Sequence, residues 1–217
     1  MKKFLLILPL FASLFLFWCW TANPNTDCET GVSCPLPAIS GQQDTLSGDQ
    51  MKRQTDLTGV VQRTIQAIKT QDFVTLGAVA SANGVRFSPY ENVKNTDVIL
   101  SKQQIINALS ISASYTRWSY DGSGNPIDLW IWQYRAKFVY DVDFATAPIQ
   151  LRNQVVQRGN MISTINTFYA NYQIKEYHFT GFDPQYSGMD WKSLWLVFGE
   201  ENGIWKLVGV VHGQRTI

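Results

Sequence analysis

The sequence predicts an α+β fold: N-terminal helices packed on a curved antiparallel sheet, preceded by a hydrophobic N-terminal segment and a flexible linker. Three observations carry this. Phe4 to Trp20 is an apolar run without a charge, directly after Lys2 and Lys3. Helix-period stripes with capping residues occupy the stretch after Thr55. Two runs rich in Trp, Leu and Val, Trp191–Phe198 and Trp205–Val211, flank Gly199-Glu200-Glu201-Asn202-Gly203 and read as a terminal β-hairpin. The boundaries drawn from this are 1–22 for the signal or anchor segment, 23–54 for the linker and 55–217 for one α+β domain.

The N-terminus has the charged-then-apolar order of an export signal. Three fates stay open: a retained membrane anchor, a cleaved signal, or lipidation at Cys19. Trp18 stands where a lipobox has a small residue, and Trp20 breaks a small-x-small cleavage pattern before Ala22. All three place the rest of the chain outside the cytoplasm, membrane-anchored on the outer side or secreted. Thr21 to Gln54 is rich in Asn, Pro, Thr, Gly, Ser and Gln and reads as a linker. It carries Cys28 and Cys34, a spacing that suits a disulfide in an oxidising compartment. Without nearby His the pair is half a metal site at best.

Thr55 or Asp56 caps a helix to about Thr70 with Leu57, Val60, Val61, Ile65 and Ile68 as its stripe. Asp72 caps a short helix that Asn83-Gly84 ends. Val85 to Tyr90 is extended. Ser101 caps a third helix to about Leu109. Trp118 to Ile127 reads as a turn-rich loop, and Asp128 as the cap of a helix over Leu129–Val139. After Phe144 a loop is expected to about Gly159, then one long strand from Thr164 to Thr180.

Charge narrows the partners. The formal net charge is +1. Without the first 22 residues, 16 basic side chains face 17 acidic ones, a net of −1. Neither a nucleic acid nor a polybasic membrane patch suits that balance. The partners expected are the membrane, through the N-terminal segment, and a small ligand or an envelope protein; a homodimer through the sheet is carried as an option. No cofactor motif or metal-ligand spacing stands in the sequence.

Several stretches together resemble a family of exported bacterial proteins of unknown function. They are Gly84-Val85-Arg86-Phe87-Ser88-Pro89-Tyr90, Tyr120-Asp121-Gly122-Ser123-Gly124 with Pro126-Ile127, Phe138-Val139-Tyr140-Asp141 with Asp143-Phe144, and Gly188-Met189-Asp190-Trp191 through Gly209. The resemblance covers about 72–217 and implies no catalytic residue. Helices first and sheet last also resembles the cone of nuclear-transport-factor-like and ketosteroid-isomerase-like proteins. That likeness implies a pocket between helices and sheet, served by a carboxylate base and hydrogen-bond donors.

Two functions follow. One is a non-catalytic envelope module that binds a ligand or partner. The alternative is a small lyase, isomerase or hydrolase of ketosteroid-isomerase-like type using a pocket Asp or His. Asp121, Asp190 and His178 are the catalytic candidates, with Asp141, Asp143 and His212 beside them. Asp121 and Asp190 equally suit turn-making, and the histidines a packed or exposed setting. Arg86, Tyr90, Trp118 and Tyr120 are the ligand-binding candidates. Arg86 lies between Val85 and Phe87 and calls for an acidic partner, either a protein aspartate or an anionic ligand. Trp118 reads as sugar platform or as core.

Overall fold

The computed structural model describes residues 56–110, 115–156, 158 and 162–215. The apolar N-terminal run, the linker and the Cys28/Cys34 pair lie outside the described residues. The fold is α+β with a mixed six-stranded sheet and several short helices. No helix among the described residues is long and apolar enough to cross a membrane.

Helix α1 (Leu57–Thr70) starts where Asp56 accepts the Gly59 N–H, and it buries the stripe from Leu57 to Ile68. Its end is Gln71, in the left-handed region at φ 59°. Helix α2 (Phe73–Val79) is capped by Asp72, which accepts from Thr75 N. Strand β1 (Val85–Ser88) and strand β2 (Val98–Leu100) follow, then helix α3 (Lys102–Ile106). Ser101 and Gln104 close the reciprocal capping box of α3, which stops three residues short of Leu109.

The stretch expected to be a loop folds as a second hairpin, β3 (Tyr115–Tyr120) against β4 (Pro126–Trp130). Asp128 therefore caps nothing. It lies in β4 and grips Arg117 of β3 with both carboxylate oxygens, at 2.9 and 3.0 Å. Helix α4 begins two residues later than expected, at Ile131–Phe138, and Gln133 accepts the Trp130 N–H.

The long strand expected over 164–180 is two elements. Helix α5 (Ile165–Phe168) precedes β6 (Gln173–Phe179), and β5 (Ile149–Arg152) pairs with β6 from within the expected loop. Both alternating faces of 164–170 were part polar and part apolar, so period alone could not decide. Packing decides, because one helical turn sets Ile165 and Tyr169 together in the core.

The terminal hairpin is the longest pair, β7 (Lys192–Glu201) with β8 (Ile204–Gln214). Its turn is tighter than the five residues expected. Glu201 pairs with Ile204, leaving Asn202 and Gly203 at φ 52° and 77°, the left-handed pair a two-residue turn requires. The strand order is β2-β1-β8-β7-β6-β5. All neighbours run antiparallel except β1 and β8, which are parallel, so the sheet is mixed rather than antiparallel throughout.

Strand alternation gives the sheet two different faces. One carries Phe87, Tyr177, Leu194, Leu196, Phe198 and Val210 against the helices, forming the larger core. The other carries Ile174, Trp195, Val197 and Val211, covered by Val93, Ile165 and Tyr169.

Candidate functional site

The space between helices and sheet, where a cone pocket belongs, is full. Trp118 lies flat on Tyr134, centroids 3.7 Å apart and planes 15° from parallel. Phe87 meets both rings edge-on, and Phe138 follows Tyr134 at 5.3 Å. The Trp118 N–H is used by the Leu129 carbonyl at 2.9 Å. What remains is a void of about 20 Å³ bordered by Phe73, Leu76, Ile105 and Ile131, room for one water at most and without a polar wall to hold it. Trp118 is thus a core residue, with no surface left for a ligand.

The open volume lies outside, in a cleft of about 850 Å³. One wall is the segment after β1, with Pro89, Tyr90, Asn92 and Lys94. The opposite wall is the β3–β4 turn, with Ser119, Tyr120, Asp121, Gly122 and Ser123. Lys137 and Phe138 of α4, Gln214 and Arg215 close it. Tyr120 is 55% exposed at the rim, while Tyr90 is half-buried and meets Phe138 edge-on at 6.0 Å. Burial, with the Asp121 charge added, raises the Tyr90 phenol above its ordinary pKa, so it stays a neutral donor.

Charge in the cleft is unevenly spent. Asp121 is folded into its own turn, accepting from Ser123 N at 2.9 Å and Asn125 N at 2.8 Å. The Asn125 amide hydrogen bond leads the contacts that hold it below the usual carboxylate range. Asp97 accepts from Ser88 Oγ at 2.6 Å and Lys94 N at 2.9 Å. Lys94, Lys137 and Arg215, by contrast, form no ion pair with any described residue. Lys137 leans over the Phe138 ring and acts on Asp121 through its charge without a hydrogen bond.

The other candidates are held elsewhere. Asp190 accepts from Phe182 N and Asp183 N at 2.9 and 2.8 Å and so closes the loop 182–190. Among the described residues Arg86 has no acidic side-chain partner. Its Nη1 donates to the carbonyls of Lys94, Asn95 and Asp97 at 3.0–3.1 Å, and its guanidinium lies over Phe168. The expected ion pair is replaced by three backbone acceptors, which fix the loop that carries Lys94. Asp143 binds Lys69 and the Tyr140 hydroxyl.

Asp141 is the most engaged of the aspartates. Lys192 Nζ contacts one oxygen, and His212 Nε2 lies 3.3 Å from the other. Burial works to raise its pKa, but the hydrogen bonds and charges of His212 and Lys192 outweigh it and hold Asp141 low. His212 is fully buried, edge-on to Phe138 and Phe144, and its Nδ1 has no partner.

His178 sits on the opposite sheet face in a buried polar cluster. Its Nδ1 is 2.8 Å from Ser193 Oγ, which donates to Glu176 Oε1 at 3.1 Å. Arg158 binds the same Glu176 oxygen at 2.5 Å. Burial first, then the Arg158 charge, lowers the His178 pKa to about 4, so the ring is neutral at physiological pH. The cluster is buried, and the hydroxyl is already committed to Glu176.

The sequence candidates are therefore not gathered at one point. Tyr90, Tyr120 and Asp121 share the cleft; Arg86, Trp118, His178 and Asp190 do not line it. Lys94, Lys137, Arg215 and the buried Glu91 and Glu176 were missed, since they lie in separate stretches that only tertiary contact brings together. Among the described residues no cluster of His, Cys, Asp or Glu has the makings of a metal site. No family model, curated protein or solved structure matches the chain.

Proposed function

We propose that the domain is a non-catalytic binding module of an exported protein, and that the outer cleft takes a small anionic ligand with hydroxyl groups, such as a uronate or the acidic end of a glycan. The observation that carries this is the set of three cations, Lys94, Lys137 and Arg215, none ion-paired to a described residue, in a cleft whose own carboxylates are hydrogen-bonded by the protein. A bound carboxylate or phosphate would receive charge-assisted hydrogen bonds from them. The Tyr90 and Tyr120 hydroxyls and Ser123 supply neutral donors, and the tyrosine rings apolar faces for a sugar. The Lys2-Lys3 start and the apolar run to Trp20 support export, and with it a place in the cell envelope. The sequence resemblance to exported bacterial proteins and the cone likeness belong to the same proposal; the two helices α1 and α2 ahead of the first strand support the latter.

Calorimetric titration with glucuronate tests the cleft. Lys94→Glu and Lys137→Glu should each weaken binding roughly ten- to a hundred-fold, the size of a charged hydrogen bond lost. Binding that both variants leave intact would place the ligand elsewhere.

One observation favours a second reading, an enzyme of the isomerase or hydrolase kind. The Asp141–His212 contact orients an imidazole whose Nδ1 is unused. The packing of Phe138 and Phe144 around that ring opposes it. A substrate screen in which His212→Gln abolishes turnover would establish it.

A further inference from the structure

The wall of the cleft also carries a buried acid. From Pro89 to Lys94 the chain alternates: Tyr90 and Asn92 line the cleft, while Glu91 and Val93 are buried against the sheet. Glu91 is 1% exposed, and neither of its oxygens has a hydrogen-bond partner. Its Cγ and the Trp195 ring share the space over Gly213, so tightly that a methyl there would meet them at 3.0 and 2.6 Å. The Ser163 hydroxyl acts on Glu91 in the stabilising direction but falls short of hydrogen-bond geometry.

Glu176, on β6, is also wholly buried and repels Glu91. Arg158 holds one Glu176 oxygen, and the other has no partner; the Trp195 N–H stands near it without a proper hydrogen bond. Among the described residues Arg158 is the cation that acts on both acids. His178 adds no charge, because burial and Arg158 keep it neutral. One guanidinium cannot neutralise two desolvated carboxylates, and two such carboxylates resist ionising together.

We propose that Glu91 and Glu176 hold a single titrating proton between them, and that its release to solvent loosens segment 89–94 and with it the cleft on the far side of that segment. The cleft half of this rests on the preceding proposal; the proton site does not. Burial raises Glu91 to a pKa of about 7, with Arg158 opposing the rise and Glu176 adding to it. An ionised Glu91 is left buried without a hydrogen bond, and outward movement to water is its relief. That movement strains the bonds that hold the segment: Thr164 N to the Glu91 carbonyl at 3.1 Å, and Thr164 Oγ1 to the Val93 carbonyl at 3.2 Å. Tyr90, Asn92 and Lys94 share this backbone. The cleft should thus be better formed below the midpoint than above it.

The test uses the full chain and two readouts. Carbon NMR of the Glu91 carboxyl should show a midpoint near 7; a midpoint in the ordinary range near 4.3 overturns the proposal without any variant. Hydrogen exchange at Thr164 and Lys94, corrected for intrinsic rate, should lose roughly ten-fold of its protection between about pH 5.5 and about pH 8.5 in the wild type. Glu91→Gln, which cannot ionise, should show no such loss; equal loss in both proteins overturns the proposal. Sulfate, whose charge is constant across this range, probes the cleft at both pH values. Sulfate that binds more weakly at high pH in the wild type alone supports the coupling. Exchange that responds to pH while sulfate binds at neither pH sinks the cleft reading and leaves the proton site standing. Sulfate binding with pH-independent exchange sinks the proton site and leaves the cleft.

Discussion

Trp118 and Tyr134 stack face to face with their centroids 3.7 Å apart, one from a strand and one from a helix. This contact fills the interior that a cone fold would leave open. The open volume with polar walls lies instead in the outer cleft.

Trp118→Ala should therefore behave as a core mutation. The expected loss is about 3–5 kcal/mol of unfolding free energy, the range for a buried Trp truncated without collapse. Urea denaturation checks it. A loss within ~0.5 kcal/mol, typical of surface sites, would mean the stack is not part of the core.

Arg86 closes a loop through three carbonyls rather than an ion pair. A methionine there keeps the stem but leaves those acceptors unserved. Arg86→Met should cost about 2–4 kcal/mol and speed amide exchange at Lys94. Arg86→Lys should recover part of the loss, because an ammonium donates but lacks the fixed fork. Full recovery by Lys would show that charge alone matters.

Two buried groups oppose each other as pH changes. The His178 pKa is depressed to about 4 from 6.5, so between those values the unfolded chain binds the extra proton, and stability falls as pH drops. The Glu91 pKa is raised to about 7 from 4.5, so the folded chain holds the extra proton, and stability falls as pH rises. Glu176, also raised by burial, acts in the same direction as Glu91, and over the shared window the acids offset the histidine. Glu91→Gln removes one of them, and its melting temperature should then rise with pH between about 4.5 and about 6.5, while the wild type stays flatter. Parallel profiles for the two proteins would contradict the assignment.

Gly209 lies under the Tyr169 ring, and an added methyl would meet the hydroxyl oxygen at 2.5 Å. Gly209→Ala must push Tyr169 off the sheet. It should cost about 1–3 kcal/mol by overpacking, measured by denaturant titration. An unchanged midpoint would mean that the segment over this face yields freely.

Much of the fold was legible because local signals and packing agree. Asp56, Asp72 and Ser101 cap helices as their side chains suggest, and Asn202-Gly203 makes the turn that the Trp-rich strands need. Reading failed where two local answers were close. Asp128 can cap a helix or pair across a hairpin, and Arg117, eleven residues earlier, settles it. Residues 164–170 fit strand or helix until Ile165 and Tyr169 find the second core. The parallel β1–β8 pairing joins residues more than a hundred positions apart and leaves no local trace. Tyr90, Tyr120 and Asp121 could be named from their stretches. The three cleft cations could not, because what sets them apart is that none is ion-paired to a described residue, a property of the folded surface.

The most direct test of the central claim is a nitrogen–proton NMR titration of the domain with glucuronate, mapping which amides move. The cleft reading predicts shifts at 90–94, 119–123, Lys137 and 214–215, with the amides of His212 and Tyr134 unmoved. Shifts centred on His212 and Asp141 would contradict it and favour the catalytic reading.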